Sequence, residues 1–131
     1  MSTADNKRLV RRYFDAMRGG SPELPDLLDE DVTWWAPPSS ELGGLHSGKA
    51  AVLDLMSSGV GLYDTRHPME VRVEHMIAED DWVSVQAILE ARTARGEPYR
   101  NHYHFAFRIE AGRIREVREH LDTLYAQQKL F

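Results

Sequence analysis

The second half of the chain reads as four consecutive strands joined by turns too short for crossovers, and no other feature narrows the possible folds as much. Residues 69–77, 82–92, 99–109 and 113–123 are rich in alternating or β-branched positions. Between them stand Glu79-Asp80-Asp81, Ala94-Arg95-Gly96-Glu97 and Glu110-Ala111-Gly112, three short polar connections. Consecutive strands are therefore expected to be antiparallel neighbours.

The first half has a different period. Leu9, Val10, Tyr13, Phe14 and Met17 recur at three- and four-residue spacings, which predicts a helix over 3–17 that Gly19-Gly20 ends. Ser21-Pro22-Glu23 places a capping serine before a proline and predicts a short second helix through Leu27-Leu28, stopped by Asp29-Glu30-Asp31. Residues 32–35 form a short strand run ended by Pro37-Pro38, and 39–47 has loop composition. A third helix is predicted over 49–56, closed by Ser57-Ser58-Gly59. Helices followed by a meander give an α+β order.

At 131 residues the chain is read as one domain, residues 1–131, because two cores would each be too small. The absence of cysteine excludes disulfides, thiolate metal sites and a cysteine nucleophile. Residues 1–8 lack the apolar stretch of a signal peptide, and no run approaches the roughly 20 apolar residues of a membrane span. A cytoplasmic protein with no membrane partner is expected. The formal charge of -5 argues against a nucleic-acid partner.

The text from Tyr103-His104-Phe105-Ala106-Phe107 through Gly112-Arg113-Ile114 to Arg118-Glu119-His120-Leu121-Asp122 resembles SnoaL-like members of the nuclear transport factor 2-like superfamily. Asp31-Val32-Thr33 and the helix start Gly48-Lys49-Ala50-Ala51-Val52 are similar to the family's as well. The resemblance implies a cone-shaped, strongly curved mixed or antiparallel sheet packed on three N-terminal helices, with a ligand pocket at the open end. It spans steroid isomerases, epoxide hydrolases, polyketide cyclases, dehydratases and non-catalytic domains, so fold alone does not decide function.

If Glu110-Ala111-Gly112 is a three-residue loop with Gly112 left-handed, Ile109 pairs with Arg113 and Tyr103 stands opposite Glu119. Alternation then puts Asn101, Tyr103, Phe105 and Phe107 on one face with Val117, Glu119 and Leu121. This more apolar face is expected to be concave. His102, His104, Arg108, Glu116, Arg118, His120 and Asp122 take the other face, with His102 opposite His120. That outer face is the expected homodimer surface, and its histidines admit a metal as the lesser alternative.

Glu119 is the one acid this register places inside, and the resemblance puts it where cyclases and epoxide hydrolases keep a catalytic aspartate. An apolar pocket raises a carboxyl pKa and makes it a proton shuttle near neutrality. The alternatives are an ion pair with Arg118 or a place at the solvent rim. Tyr103 is a candidate oxyanion donor and Asn101 a candidate orienting amide, or else the end of a turn. Trp34, Tyr13, Met17, Phe105, Val117 and Leu121 are expected to line the pocket or pack the core, and because Trp34 and Trp35 alternate, one of the two is expected inside and the other outside. His46 is a surface histidine near the mouth.

Ala36 stands where the steroid isomerases keep their general base, and Phe105 falls near their oxyanion-hole acid. The arginine and aspartate of the epoxide hydrolases have no counterpart at the centre of 82–90. What remains implied is a cyclase or dehydratase using one acid and a tyrosine, without a cofactor, on an apolar molecule bearing a carbonyl or hydroxyl, or a pocket that binds without turnover. Gly43 to Ala50 approaches a phosphate-binding loop but has Ala50 where a Ser or Thr belongs and no buried strand before it.

Overall fold

Ser2 and Asp5 start the fold together: the Ser2 hydroxyl accepts from the Asp5 amide and the Asp5 carboxylate accepts from the Ser2 amide. This reciprocal cap opens α1, Thr3–Gly19, which ends on Gly20 in the left-handed region at φ 61°. The structure, a computed structural model, describes residues 2–131. The expected stripe of Leu9, Val10, Tyr13 and Phe14 is buried against the sheet.

Downstream of α1 come a 3-10 turn at Leu24–Leu27, β1 (Leu28–Ala36), β2 (Gly44–Ser47) and α2 (Lys49–Val60). Then follow β3 (Glu70–Glu79), β4 (Trp82–Arg92), β5 (Pro98–Glu110), β6 (Arg113–Leu121) and α3 (Thr123–Leu130). The six strands form one sheet in the order β2-β1-β6-β5-β4-β3, with β1 and β6 parallel and all other neighbours antiparallel. The expected α+β architecture is present, a mixed curved sheet backed by helices. No helix among the described residues is long and apolar enough to cross a membrane.

Several boundaries differ from expectation, each for a local reason. The second helical segment is only a 3-10 turn, because Leu28 and Val32 are both drawn fully into the core. Asp29-Glu30-Asp31 therefore does not stop a helix. It lies inside β1, across a register shift against β6 between Leu28 and Thr33. The segment read as loop hides β2, bracketed by Gly44 and Gly48 at φ 94° and 91°. Gly43 is required there, since a Cβ would stand 1.9 Å from the Pro37 carbonyl oxygen. α2 runs past Ser57-Ser58 to Val60. The last strand stops at Leu121, and Asp122 caps α3 by accepting from the Tyr125 amide at 3.1 Å.

The β5–β6 hairpin corrects the expected register. Its loop has two residues, Ala111 and Gly112 at φ 50° and 76°, so Glu110 pairs with Arg113 and Ile109 with Ile114. A bulge at Arg115 then inserts one residue, after which Phe107 pairs with Val117 and Phe105 with Glu119. The shorter loop and the bulge together displace the pairing by two positions, so the residues from Glu116 onward change partners but keep their expected face, while ahead of the bulge the faces exchange, Ile114 turning inward and Arg113 outward. Tyr103 thus faces Leu121 rather than Glu119, and His104 rather than His102 opposes His120.

Candidate functional site

Burial identifies the concave face. Tyr99, Asn101, Tyr103, Phe105, Phe107 and Ile109 of β5 are buried, whereas the residues between them are exposed or half-buried. β1 repeats the pattern: Trp34 is buried inside, and Trp35 lies on the convex side against the His120 ring, 5.0 Å between centroids.

The floor of the cone is aromatic. Tyr13 of α1 stands 5.5 Å from Phe107 and 6.2 Å from Trp34, and Phe14 stands 5.5 Å from Phe105. Val117 is fully buried beneath them, and the Tyr13 hydroxyl donates toward Met17 Sδ at 3.9 Å. Met17, Leu53, Met56, Tyr63 and Leu121 pack on this core half-buried, so they mark where the interior meets solvent.

Glu119 sits in that setting, half-buried, with Oε1 accepting a 2.8 Å hydrogen bond from Trp34 Nε1. Arg118 is not its partner. That guanidinium lies on the other face, 3.8 Å from Glu116 and 4.6 Å from the centre of the Trp35 ring. Burial pushes the Glu119 carboxyl above its ordinary range, and the Trp34 bond opposes the rise only in part.

Beside the acid runs a chain of polar groups. Asn101 Nδ2 donates to the Tyr99 hydroxyl at 2.8 Å and to the Asp122 carbonyl at 3.1 Å, while its Oδ1 accepts from the His102 amide at 2.8 Å. The Tyr99 and Tyr103 hydroxyls are 2.9 Å apart. The Tyr99 oxygen accepts from Asn101, and either hydroxyl can donate across the Tyr99–Tyr103 contact. Burial raises the Tyr103 phenol well above its ordinary pKa, so it remains a neutral donor. The Tyr103 ring stacks on Phe105 at 5.6 Å with 4° between planes.

Tyr103 and Glu119 occupy the same face on adjacent strands as diagonal neighbours rather than opposite ones. Asn101 has both amide hydrogens committed inside the protein, so it braces Tyr99 instead of reaching a ligand. Two aromatic residues join the site without having been expected there. Tyr99 shares the inward face two positions before Asn101, and strand alternation alone is enough to find it. Tyr63, edge-on to Tyr99 at 5.6 Å, follows α2 in a connection with no periodic signal. His46 is half-buried opposite Trp34 and on its face, tied to the Leu42 carbonyl at 3.1 Å. Two open clefts, of about 200 and 280 Å³, lie away from Glu119: one at the β3–β4 and β5–β6 turns, the other beside His67 and Glu90.

The Trp34 bond can be tested directly. Trp34→Phe removes the donor to Glu119 while keeping an aromatic ring, so the Glu119 pKa is expected to move further up. A pH titration of the glutamate side-chain carboxyl carbons by NMR reads the shift; an unmoved Glu119 resonance midpoint refutes the coupling.

Solved structures with the same fold include a nuclear transport factor 2-like protein from Burkholderia xenovorans LB400, at 25% identity over 100% of this chain and 99% of that one, TM-score 0.80. A putative SnoaL-like polyketide cyclase from Jannaschia sp. CCS1 aligns at 18% identity over 98% of this chain and 92% of its own, TM-score 0.81. TerC, co-crystallised with polyporic acid, aligns at 18% identity over 96% and 98% of the two chains, TM-score 0.83. No protein of curated function matches the sequence. The SnoaL-like domain profile matches residues 10–117, and the chain belongs to that family.

Proposed function

We propose that this chain is a small-molecule enzyme of the cyclase, dehydratase or isomerase kind, in which Glu119 transfers a proton on an apolar substrate bearing a carbonyl or hydroxyl. The observation that carries the reading is a carboxyl among aromatic rings with a neutral indole N–H as its hydrogen-bond donor, whose burial raises its pKa above the ordinary carboxyl range and so favours proton transfer. Tyr103 supplies the second function, a neutral phenol beside the acid whose hydroxyl would donate to a developing oxyanion while the Tyr99–Asn101 contacts hold it in place. A planar ring would stack on the Tyr103–Phe105 surface. TerC was co-crystallised with polyporic acid and the Jannaschia protein is named a putative polyketide cyclase, which supports a small-molecule ligand for this fold.

The test is carbon-bound deuterium. Incubated in D2O with a panel of aromatic ketones and hydroxyquinones, the wild-type protein is expected to label or convert at least one compound that Glu119→Gln leaves untouched. Binding of panel members without labelling or conversion would instead establish the second reading, a non-catalytic binding domain. That reading is favoured by the tight aromatic filling of the cone. We further propose a homodimer through the convex face, where Leu45, Ile77 and Trp82 are exposed. Ile77→Glu is expected to convert it to monomer in sedimentation velocity, and an unchanged sedimentation coefficient overturns that contact.

A further inference from the structure

The convex face of the sheet is ordered in rows. One row runs Leu45, Trp35, Arg118, Ala106, Ser84, Ile77 from β2 to β3, each residue the strand partner of the next. Its two ends are exposed apolar side chains, Leu45 at 65% and Ile77 at 59%. The next row carries imidazoles: His120 of β6 pairs with His104 of β5, and His75 of β3 follows across Gln86. The His104 and His120 rings are 6.4 Å apart between centroids. In the strand order β2-β1-β6-β5-β4-β3 the midline falls between β6 and β5, so these two histidines stand at the centre of the sheet.

We propose that two copies meet about a twofold axis along this midline and stay together only while His104 and His120 are neutral, so that acidification separates them. The switch rests on the convex-face homodimer proposed above and is independent of the chemistry at Glu119. Such an axis sets the Leu45 edge of each copy on the Ile77 edge of the other, apolar against apolar. It also brings His104 of each copy against His120 of the other, which gathers four imidazoles.

Among the described residues neither histidine forms an ion pair with a carboxylate. The His104 Nε2 lies 2.7 Å from the Ser84 hydroxyl of β4, and its partner on that strand is the uncharged Gln86. His120 packs on Trp35 of β1 at 5.0 Å, and Arg118 covers the same ring at 4.6 Å. His102 shares the face two positions before His104. The acids of this surface are engaged or peripheral: Glu116 serves Arg108 at 3.2 Å and Arg118 at 3.8 Å, and Asp122 accepts from the Tyr125 amide. Glu90 holds Arg72, and Glu74 is exposed at the β3 bulge beside His75. Burial, His120 and His75 together push His104 below the ordinary imidazole range. A second copy adds burial and two more imidazoles, so separated chains bind the proton more readily. The dimer is therefore complete above the imidazole range and lost as pH falls through it. The formal charge of -5 acts in the opposite direction, since its neutralisation by acid alone would tighten association.

Sedimentation velocity over a dilution series, at about pH 7.5 and 5.5 in about 0.15 M NaCl, reads the dimer Kd. Wild type is expected to loosen by about tenfold or more at the lower pH with circular dichroism unchanged, each excluded proton being worth up to about tenfold for an ordinary imidazole. His104→Gln combined with His120→Gln is expected to keep one Kd at both pH values. Should that variant fail to fold, His120→Gln alone, at an exposed position, is expected to respond less than wild type. A wild-type Kd that holds or tightens at the lower pH overturns the switch and leaves the dimer standing. A monomer at about pH 7.5 overturns both, and a variant that loosens as much as wild type overturns the histidine assignment.

Discussion

Glu119→Gln is expected to lower turnover by about 10²–10⁴-fold while leaving the fold and ligand affinity nearly intact, since glutamine keeps an oxygen for Trp34 Nε1 but cannot carry the proton. The same variant is expected to be more stable at neutral pH. The folded carboxyl titrates above its ordinary range, whereas the unfolded chain titrates at about pH 4.3. Between those values the native state holds a proton that the unfolded state has released. Glu119 stabilisation is therefore fully present below the unfolded pKa and lost as pH rises through the folded one. Glutamine removes that loss, so its melting temperature should exceed wild type at neutral pH, with the gain vanishing below about pH 4. Thermal melts across pH 3–8 beside turnover assays check both halves. Full wild-type activity in the variant would remove Glu119 from the mechanism.

Legibility in the sequence follows the range of the forces involved. Alternation along β5 and β6 depends on neighbouring residues alone, and it places Asn101, Tyr103, Phe105, Val117, Glu119 and Leu121 on one face correctly. The pairing between those strands depends on how Ala111 and Gly112 turn and on whether Arg115 bulges, and neither is encoded by hydrophobicity. The strand partner of Glu119 escapes the sequence for that reason, although its face does not. β2 and α3 escape it because their order comes from elsewhere. β2 has four residues and exists by pairing with Trp34 and its neighbours, and α3 is held by the Asp122 cap and by Tyr125, whose hydroxyl accepts from the Arg100 amide. The hydrogen bond from Trp34 to Glu119 links positions 85 apart, and no local pattern announces it.

Phe107→Ala is expected to be the most destabilising single change outside backbone positions, by about 3–5 kcal/mol. Phe107 is 0% exposed, with ring centroids 5.5 Å from Tyr13, 5.7 Å from Phe14 and 5.8 Å from Phe105, and its strand partners Val83 and Val117 are fully buried too. Helix and sheet meet at this ring, so neither can close on the void without unpairing the other. A loss of that size is a large fraction of the roughly 5–15 kcal/mol that holds a domain together, and denaturant melts should shift by several molar units of urea. Leu124→Ala, on a side chain 66% exposed, serves as the contrast and should fall within about 0.5 kcal/mol of wild type. Comparable losses for the two variants would mean that the aromatic contact between α1 and the sheet is not what stabilises the cone. Glu119 would then lack the rigid floor that keeps its carboxyl out of water.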